Sequence, residues 1–236
     1  MINATGLDGC KSGWLLIYYQ DYKYKHQLIA SIHQAVSIFE QSRKIFIDIP
    51  IGLSSKNYNR QIEKKMRHLL KNRSSTVFTP PCREAVKQEN YQLANKVNRA
   101  VTSKGLSKQA FNIGKKIAEV DHFLEQERKY QLVESHPEIC FKLLNRSVLQ
   151  TKKNTNDGQM ERRNLISSFA PRLDKLVEDL LTLYPKSKVQ PDDIIDAAVL
   201  CLSAQISLTF NTLLWKEANY TDEMGIQVKI EAGEMS

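Results

Sequence analysis

Five acidic residues stand where a carboxylate could do chemistry. Asp8 closes the run Ala4–Asp8, Asp48 interrupts the apolar run Ile45-Phe46-Ile47-Asp48-Ile49-Pro50, and Glu134 closes Leu132-Val133-Glu134. Each ends a predicted strand, and open α/β sheets bind ligands outside the carboxyl ends of their strands. Asp193 and Asp196 lie three apart in Pro191-Asp192-Asp193-Ile194-Ile195-Asp196-Ala197, on one face of a predicted helix. Asp196 sits a turn inside that helix among Ile194, Ile195, Ala198, Val199 and Leu200. A carboxylate there is costly unless partnered. Crowded carboxylates must share protons or a cation, and a hard divalent ion, Mg²⁺ or Mn²⁺, prefers such oxygen ligands. Two such ions roughly 3.5–4 Å apart can activate water and stabilise the leaving oxygen of an in-line phosphoryl displacement. The expected chemistry is metal-dependent phosphodiester hydrolysis.

Other residues have a chemical and a plain reading. Asp192 and Asp193 suit a helix N-terminus, as caps or as charge opposite the macrodipole. His136, between a strand end and Pro137, is either a proton shuttle or a hydrogen-bonding turn residue. Lys11, Arg83 and Lys153 fall in predicted loops, as phosphate contacts or as surface charge. Trp14 and Tyr18 alternate with Leu16 and read as core. Gly6 and Gly9 lack the third glycine and the following helix of a dinucleotide fingerprint.

The elements that must position the acids follow from periodicity. Ala4–Asp8, Trp14–Tyr19 and Lys23–Ala30 read as an antiparallel meander. Ser31–Gln41 carries apolar residues at helical spacing, with Ser31 as N-cap. The run at 45–49 suits a strand buried on both faces, ended by Pro50. Tyr58–Asn72 and two or three helices over Arg83–Glu127 form a helical insertion, with a loop at Ser74-Ser75-Thr76-Val77-Phe78-Thr79-Pro80-Pro81. Leu132–Glu134 is a further strand, followed by a helix to about Leu144 and a polar loop over 151–159. Glu161–Tyr184 is helical with a break at Pro171, Pro191–Trp215 is a long final helix, and Ile226–Ile230 is a small terminal strand. The fold class is a mixed α/β sheet flanked by helices, built as a single domain over 1–236 with its insertion at about 56–127.

Charge is unevenly placed. The chain carries +8 overall, yet residues 56–116 hold fifteen Lys or Arg against three acids (Glu63, Glu84, Glu89), an excess of twelve, which leaves −4 elsewhere. A basic surface facing a polyanion is one reading and a solvated helical face the other. Cysteines 10, 82, 140 and 201 are scattered, without Cys-x-x-Cys spacing, and read as reduced thiols rather than zinc ligands. No apolar run reaches membrane-spanning length. The residues from Met1 lack the pattern of a signal peptide, so the expected location is cytoplasmic.

Several motifs together resemble a domain-of-unknown-function family of predicted RNase H-like nucleases. They are Gly6-Leu7-Asp8-Gly9-Cys10-Lys11-Ser12-Gly13-Trp14, Ile47-Asp48-Ile49-Pro50-Ile51-Gly52-Leu53, Ser74-Ser75-Thr76-Val77-Phe78, Leu106-Ser107-Lys108-Gln109-Ala110, Lys115-Lys116-Ile117-Ala118-Glu119-Val120-Asp121, Glu134-Ser135-His136-Pro137-Glu138 and Asp192-Asp193-Ile194-Ile195-Asp196-Ala197. They run in order from residue 6 to about 206. The resemblance implies a ribonuclease H-like mixed sheet of five strands, with the helical insertion after the fourth. It also implies an acid on the first strand, another on the fourth and one or two on the last helix, which maps onto Asp8, Asp48, Asp193 and Asp196. Glu134 departs from that pattern, as an added ligand or as a residue orienting His136. The expected activity is that of a Mg²⁺- or Mn²⁺-dependent nuclease on DNA or RNA. The alternatives are non-catalytic nucleic-acid binding and a small-molecule phosphohydrolase or phosphotransferase on a related fold.

Overall fold

The computed structural model describes residues 1–235, and for 218–220 the backbone alone. Seven strands are β1 (Ile2–Cys10), β2 (Gly13–Gln20), β3 (Lys23–Ile29), β4 (Ser42–Ile47), β5 (Leu132–Glu134), β6 (Asn211–Thr221) and β7 (Gln227–Glu234). They lie in the order β3-β2-β1-β4-β5-β7-β6. The meander β1-β2-β3 is antiparallel, while β4 and β5 run parallel to β1. The expected mixed α/β sheet is present, with seven strands and not five. The extra pair arises at the carboxyl end of the chain. The predicted final helix to Trp215 stops at Thr209 instead, and Asn211–Thr221 and Gln227–Glu234 are strands. Apolar residues at 213–215 suited a helix stripe as well as a strand, and a short apolar run cannot separate the two. What decides is the turn that follows. Asp222 Oδ1 accepts from the N–H groups of Met224 (2.9 Å) and Ile226 (3.0 Å), and Gly225 takes a positive φ of 75°.

The helices are α1 (Val36–Phe39), α2 (Ile62–Leu70), α3 (Arg83–Val86), α4 (Tyr91–Thr102), α5 (Lys108–Asn112), α6 (Gly114–Gln126), α7 (Pro137–Asn145), α8 (Asn156–Phe169), α9 (Pro171–Leu183) and α10 (Pro191–Thr209). The break expected at Pro171 separates α8 from α9, since proline at the start of a helix lacks only an N–H that would be unsatisfied anyway. No helix among the described residues is long and apolar enough to cross a membrane. All four cysteines are buried.

Two compact units divide the chain. The first comprises Met1–Asp48, Tyr130–Leu214 and Glu231–Ser236, and the second Ile49–Lys129 with Trp215–Ile230. The second therefore contains the predicted insertion together with a later segment that periodicity did not link to it. Ten of its fifteen Lys and Arg between 56 and 116 are exposed. Arg60 and Arg83 are instead buried. Arg60 pairs with Glu63 and donates to the carbonyls of Ile51 (2.6 Å) and Gly52 (3.0 Å). Ala94, Leu106 and Ala110 form a small core there, with Phe78 and Phe111 against it.

In the first unit α10 packs on β1 and β4. The contact is close because Gly6 has no side chain. A Cβ at Gly6 would lie 2.3 Å from the Cys201 nitrogen and 2.4 Å from the Ala197 carbonyl oxygen. Asp8 lies two residues along the same strand and so faces the same helix. Gly6→Ala is expected to lower stability by about 3 kcal/mol or more, because backbone must move on both sides. Denaturant unfolding at fixed protein concentration checks this, and a loss under about 1 kcal/mol would refute the packing argument.

Candidate active site

Strand register decides which acids meet. Leu7 is level with Ile47, and Ile47 with Glu134. The ladder continues one residue further: the Asp48 N–H donates to the Leu7 carbonyl (3.1 Å) and the Ser135 N–H to the Ile47 carbonyl (3.0 Å). Alternation then puts Asp8, Asp48 and Ser135 on one face and Leu7, Ile47 and Glu134 on the other. Glu134 is buried, but one position too early to join Asp8 and Asp48. Of the five acids expected at the sheet end, it is the one the fold turns away. Counting strand ends from the sequence cannot show this, since a one-residue offset reverses the face.

Helix α10 brings two further acids to Asp8 and Asp48. Burial and the charges of Asp48, Asp196 and Asp193 hold the Asp8 carboxyl well above its ordinary range. Burial pushes Asp48 up to about 6, against the pull of Lys153 and with a push from Glu138. Asp196 is pushed up to about 6 by burial, with Lys153 opposing and Asp48 and Glu138 reinforcing. Burial also takes Asp193 up to about 6, opposed by the Gln190 backbone N–H that it accepts at 2.8 Å. That contact makes Asp193 the capping acid of α10, a role that sequence left open to both Asp192 and Asp193. Asp192 instead lies 3.5 Å from the Lys153 ammonium. Asp8 accepts from the Gly9 N–H at 2.7 Å.

Lys153 is the cation of this group. Its Nζ donates to Asp196 Oδ2 at 2.6 Å, and the nearby acids hold its ammonium well above the usual lysine range. The loop that carries it is built rather than loose. Thr155 caps α8 by accepting from the Gly158 N–H (3.1 Å), and its hydroxyl donates to the Lys152 carbonyl (2.8 Å). Gly158 has no room for a side chain, since a Cβ would sit 1.9 Å from that same carbonyl oxygen. Arg162 on α8 is fully buried and donates to Thr151 at its hydroxyl and its carbonyl, both 3.3 Å. The same guanidinium grips Glu138 Oε1 through two nitrogens, at 2.7 and 3.2 Å.

Glu138 is the acid that sequence reasoning passed over. It belongs to the Glu134–Glu138 motif, and Pro137 at the first position of α7 sets it in the opening helical turn. The signal was present, four residues after the acid that was chosen. Lys11, a predicted substrate contact, is exposed in the turn three residues beyond Asp8. Arg83, the other, is not an open loop residue. It begins α3 in the second unit, where its guanidinium bonds Asp121 (2.7 and 2.8 Å) and Asp222 (2.5 Å). It is committed to internal carboxylates and its part is structural. His136 precedes α7 as its N-cap residue, without a side-chain cap bond.

The donor set suits a hard cation. All its acids offer carboxylate oxygens, and two of those oxygens, Asp196 Oδ1 and Glu138 Oε2, are buried without a hydrogen-bond partner. As placed, no group of three or more His, Cys, Asp and Glu side chains among the described residues is arranged to hold a metal ion. The carboxylates stand around an ammonium.

The model of one protein family matches residues 6–209, and that family is described as a protein of unknown function, DUF429. The chain belongs to this family. The match spans β1 to the end of α10, and so covers every residue of the acidic group. No curated protein and no solved structure matches the chain.

Proposed function

We propose that this DUF429 protein is a metal-dependent nuclease that hydrolyses phosphodiester bonds of DNA or RNA on a ribonuclease H-like scaffold. The observation that carries the reading is the convergence of Asp8, Asp48 and Asp196 from two neighbouring strand ends and one helix. All are buried or half-buried, and their carboxyls titrate high. The scaffold reading is supported by the antiparallel β1-β2-β3 joined to parallel β4 and β5, with acids on the first strand, at the end of the fourth and on helix α10.

Asp8, Asp48 and Asp196 would hold Mg²⁺ or Mn²⁺, which supplies a lower pKa for bound water and charge stabilisation at phosphorus. The chain's own residues do the rest. Asp193 fixes the first turn of α10, and so the position of Asp196 one turn later. Lys153 and Lys11 offer positive charge to a phosphate. The exposed lysines of the second unit supply a salt-sensitive attraction for a polyanion.

Incubating the pure protein with single-stranded and structured DNA and RNA, with Mg²⁺, Mn²⁺ or EDTA, tests the reading. Cleavage in metal only, lost in Asp8→Asn, is the expected result. Cleavage that ignores EDTA or survives Asp8→Asn unchanged would end it. Salt-sensitive binding without cleavage, indifferent to the acids, would favour a nucleic-acid-binding protein instead.

A further inference from the structure

Around the turn between β2 and β3 the first unit breaks three rules of local stability at one place. The two central residues of that turn, Asp21 and Tyr22, both stand at positive φ, 51° and 63°, which glycine or asparagine adopts at lower cost than tyrosine. Two large aromatic side chains are left open to solvent, Tyr22 at 81% and Phe169, at the end of α8, at 39%. Arg172 stands in the first turn of α9, the end of a helix where positive charge is unfavourable. Among the described residues Arg172 has no hydrogen bond or ion pair to offset this. All three deviations meet in one open cavity of about 320 Å³, whose lining includes Tyr19, Tyr22, Tyr24, Phe169, Pro171 and Arg172. Locally costly choices gathered at one spot point to a ligand.

We propose that this aromatic cavity stacks an unpaired base of a single-stranded nucleic acid, with Arg172 on the phosphate of the same strand. The proposal takes its ligand class from the nuclease reading and adds to it a preference for unpaired strands.

The chemistry of the lining selects this occupant. Tyr19 and Tyr24 face each other across β2 and β3, with ring centres 4.8 Å apart. The Tyr24 hydroxyl donates to Gln205 Oε1 on α10 at 2.7 Å, which fixes that ring before anything binds. Aromatic faces stack any base, because every base has a π-face, but a duplex has those faces covered by neighbouring pairs. The volume lies at the small end of the roughly 300–1,000 Å³ of ligand sites, enough for one ring system. Arg172 is the only charged residue in the lining and no acid joins it. A cationic ligand is therefore disfavoured, while a guanidinium matches phosphate oxygens in pairs. A proline-rich peptide also seeks tyrosine-lined grooves, but it would leave Arg172 without a partner.

This cavity is separate from the acids. Tyr19 is level with Ala4, and Leu15 with Asp8, so the ring pair shares a sheet face with Asp8 and lies roughly 13 Å along the strand from it. Gripping a strand here and cutting it at the acids are therefore separable by mutation.

Binding of labelled oligo-dT to the intact protein in EDTA, followed by fluorescence anisotropy, tests the proposal without turnover. Asparagine suits the turn, so Tyr22→Asn should melt no lower than the wild type. It is expected to weaken oligo-dT binding about fivefold or more, while Tyr22→Phe keeps the wild-type affinity and binding of duplex DNA is the same in all three proteins. Arg172→Ser should weaken oligo-dT binding and flatten its salt dependence. Light-induced crosslinking of an iodouracil-substituted strand should mark Tyr22 or Tyr24, in the wild type and in Asp8→Asn alike. Unchanged oligo-dT affinity in Tyr22→Asn, equal losses in Tyr22→Phe and Tyr22→Asn, or crosslinks confined to other segments would overturn the proposal and leave the nuclease reading standing. So would a proline-rich peptide that binds the wild type but not Tyr22→Asn while oligo-dT does not compete. Tyr22-dependent binding in a protein that cleaves no nucleic acid in Mg²⁺ or Mn²⁺ would uphold this subsite and end the nuclease reading.

Discussion

In EDTA at pH 7.5, Asp48→Asn is expected to unfold at a higher denaturant concentration than the wild-type protein, by about 1–3 kcal/mol, while losing about 10³-fold or more of any cleavage activity. The two effects have one cause. Burial pushes the Asp48 carboxyl up to about 6 from an ordinary value of 3.8, so the folded protein holds its proton more tightly than the unfolded chain does. Between about pH 4 and pH 6 the folded state binds the extra proton, and stability falls as pH rises through that window. Above it the loss is complete and the charge is simply buried. Asparagine has no charge to bury, so the gain appears at pH 7.5 and vanishes near pH 4. Asp196 and Asp193 titrate in the same window, and the wild-type protein should lose stability across it by more than one group's share. Adding Mg²⁺ should reverse the trend for the wild type only, because a bound cation takes over the role of the proton. Melting curves at pH 4.5 and 7.5, with and without Mg²⁺, measure all of this. A variant less stable than wild type at pH 7.5 would show that Asp48 is a structural carboxylate.

Much of this site is legible in the sequence, and the illegible part has a definite physical origin. Asp8, Asp48, Asp193 and Asp196 stand out because charge is rare at the end of an apolar strand or inside an apolar helix, and the desolvation cost demands a reason. Glu134 satisfies the same rule and is wrong for the pocket, because side-chain direction depends on register, which the chain does not display locally. Lys153 could be named as a candidate but not given a partner. Its contact with Asp196 spans 43 positions and depends on an Arg–Glu brace whose halves lie 24 apart. Arg83 shows the reverse error: a basic residue near a Pro-Pro loop reads as open, yet Asp121 and Asp222 enclose it from distant segments. The strand β6 was hidden for a third reason, since an apolar run after a long helix has no stop signal before Asn211, whereas β7 covers most of the small terminal strand read at Ile226–Ile230. Periodicity places elements and carboxylates; pairing between distant segments assigns their partners.

Arg162→Met is expected to be among the most damaging single changes in the first unit, at about 3–5 kcal/mol. Arg162 is fully buried, and its guanidinium neutralises Glu138, bonds the Gly158 carbonyl at 2.9 Å and holds Thr151. Its planar head lies 5.5 Å from the centre of the Phe141 ring, a further contact that methionine cannot reproduce. Removing it leaves Glu138 as an uncompensated charge beside Asp48 and Asp196, both of which already feel its repulsion. The cost should therefore fall mostly on the charge and not on lost volume. Adding Glu138→Gln to Arg162→Met removes that charge, and the double variant should recover at least about 1 kcal/mol relative to Arg162→Met alone. Recovery separates electrostatics from packing, since a cavity would be blind to the second change. The loop bearing Lys153 supplies an independent readout. With the Arg162 bonds to Thr151 gone and the Thr151 hydroxyl still donating to Glu161, the backbone amides of that loop should exchange hydrogen faster in Arg162→Met, and Glu138→Gln should not restore their protection. Equal stability of Arg162→Met and the wild type, or loop protection unchanged by the substitution, would mean that Arg162 does not brace the acidic pocket.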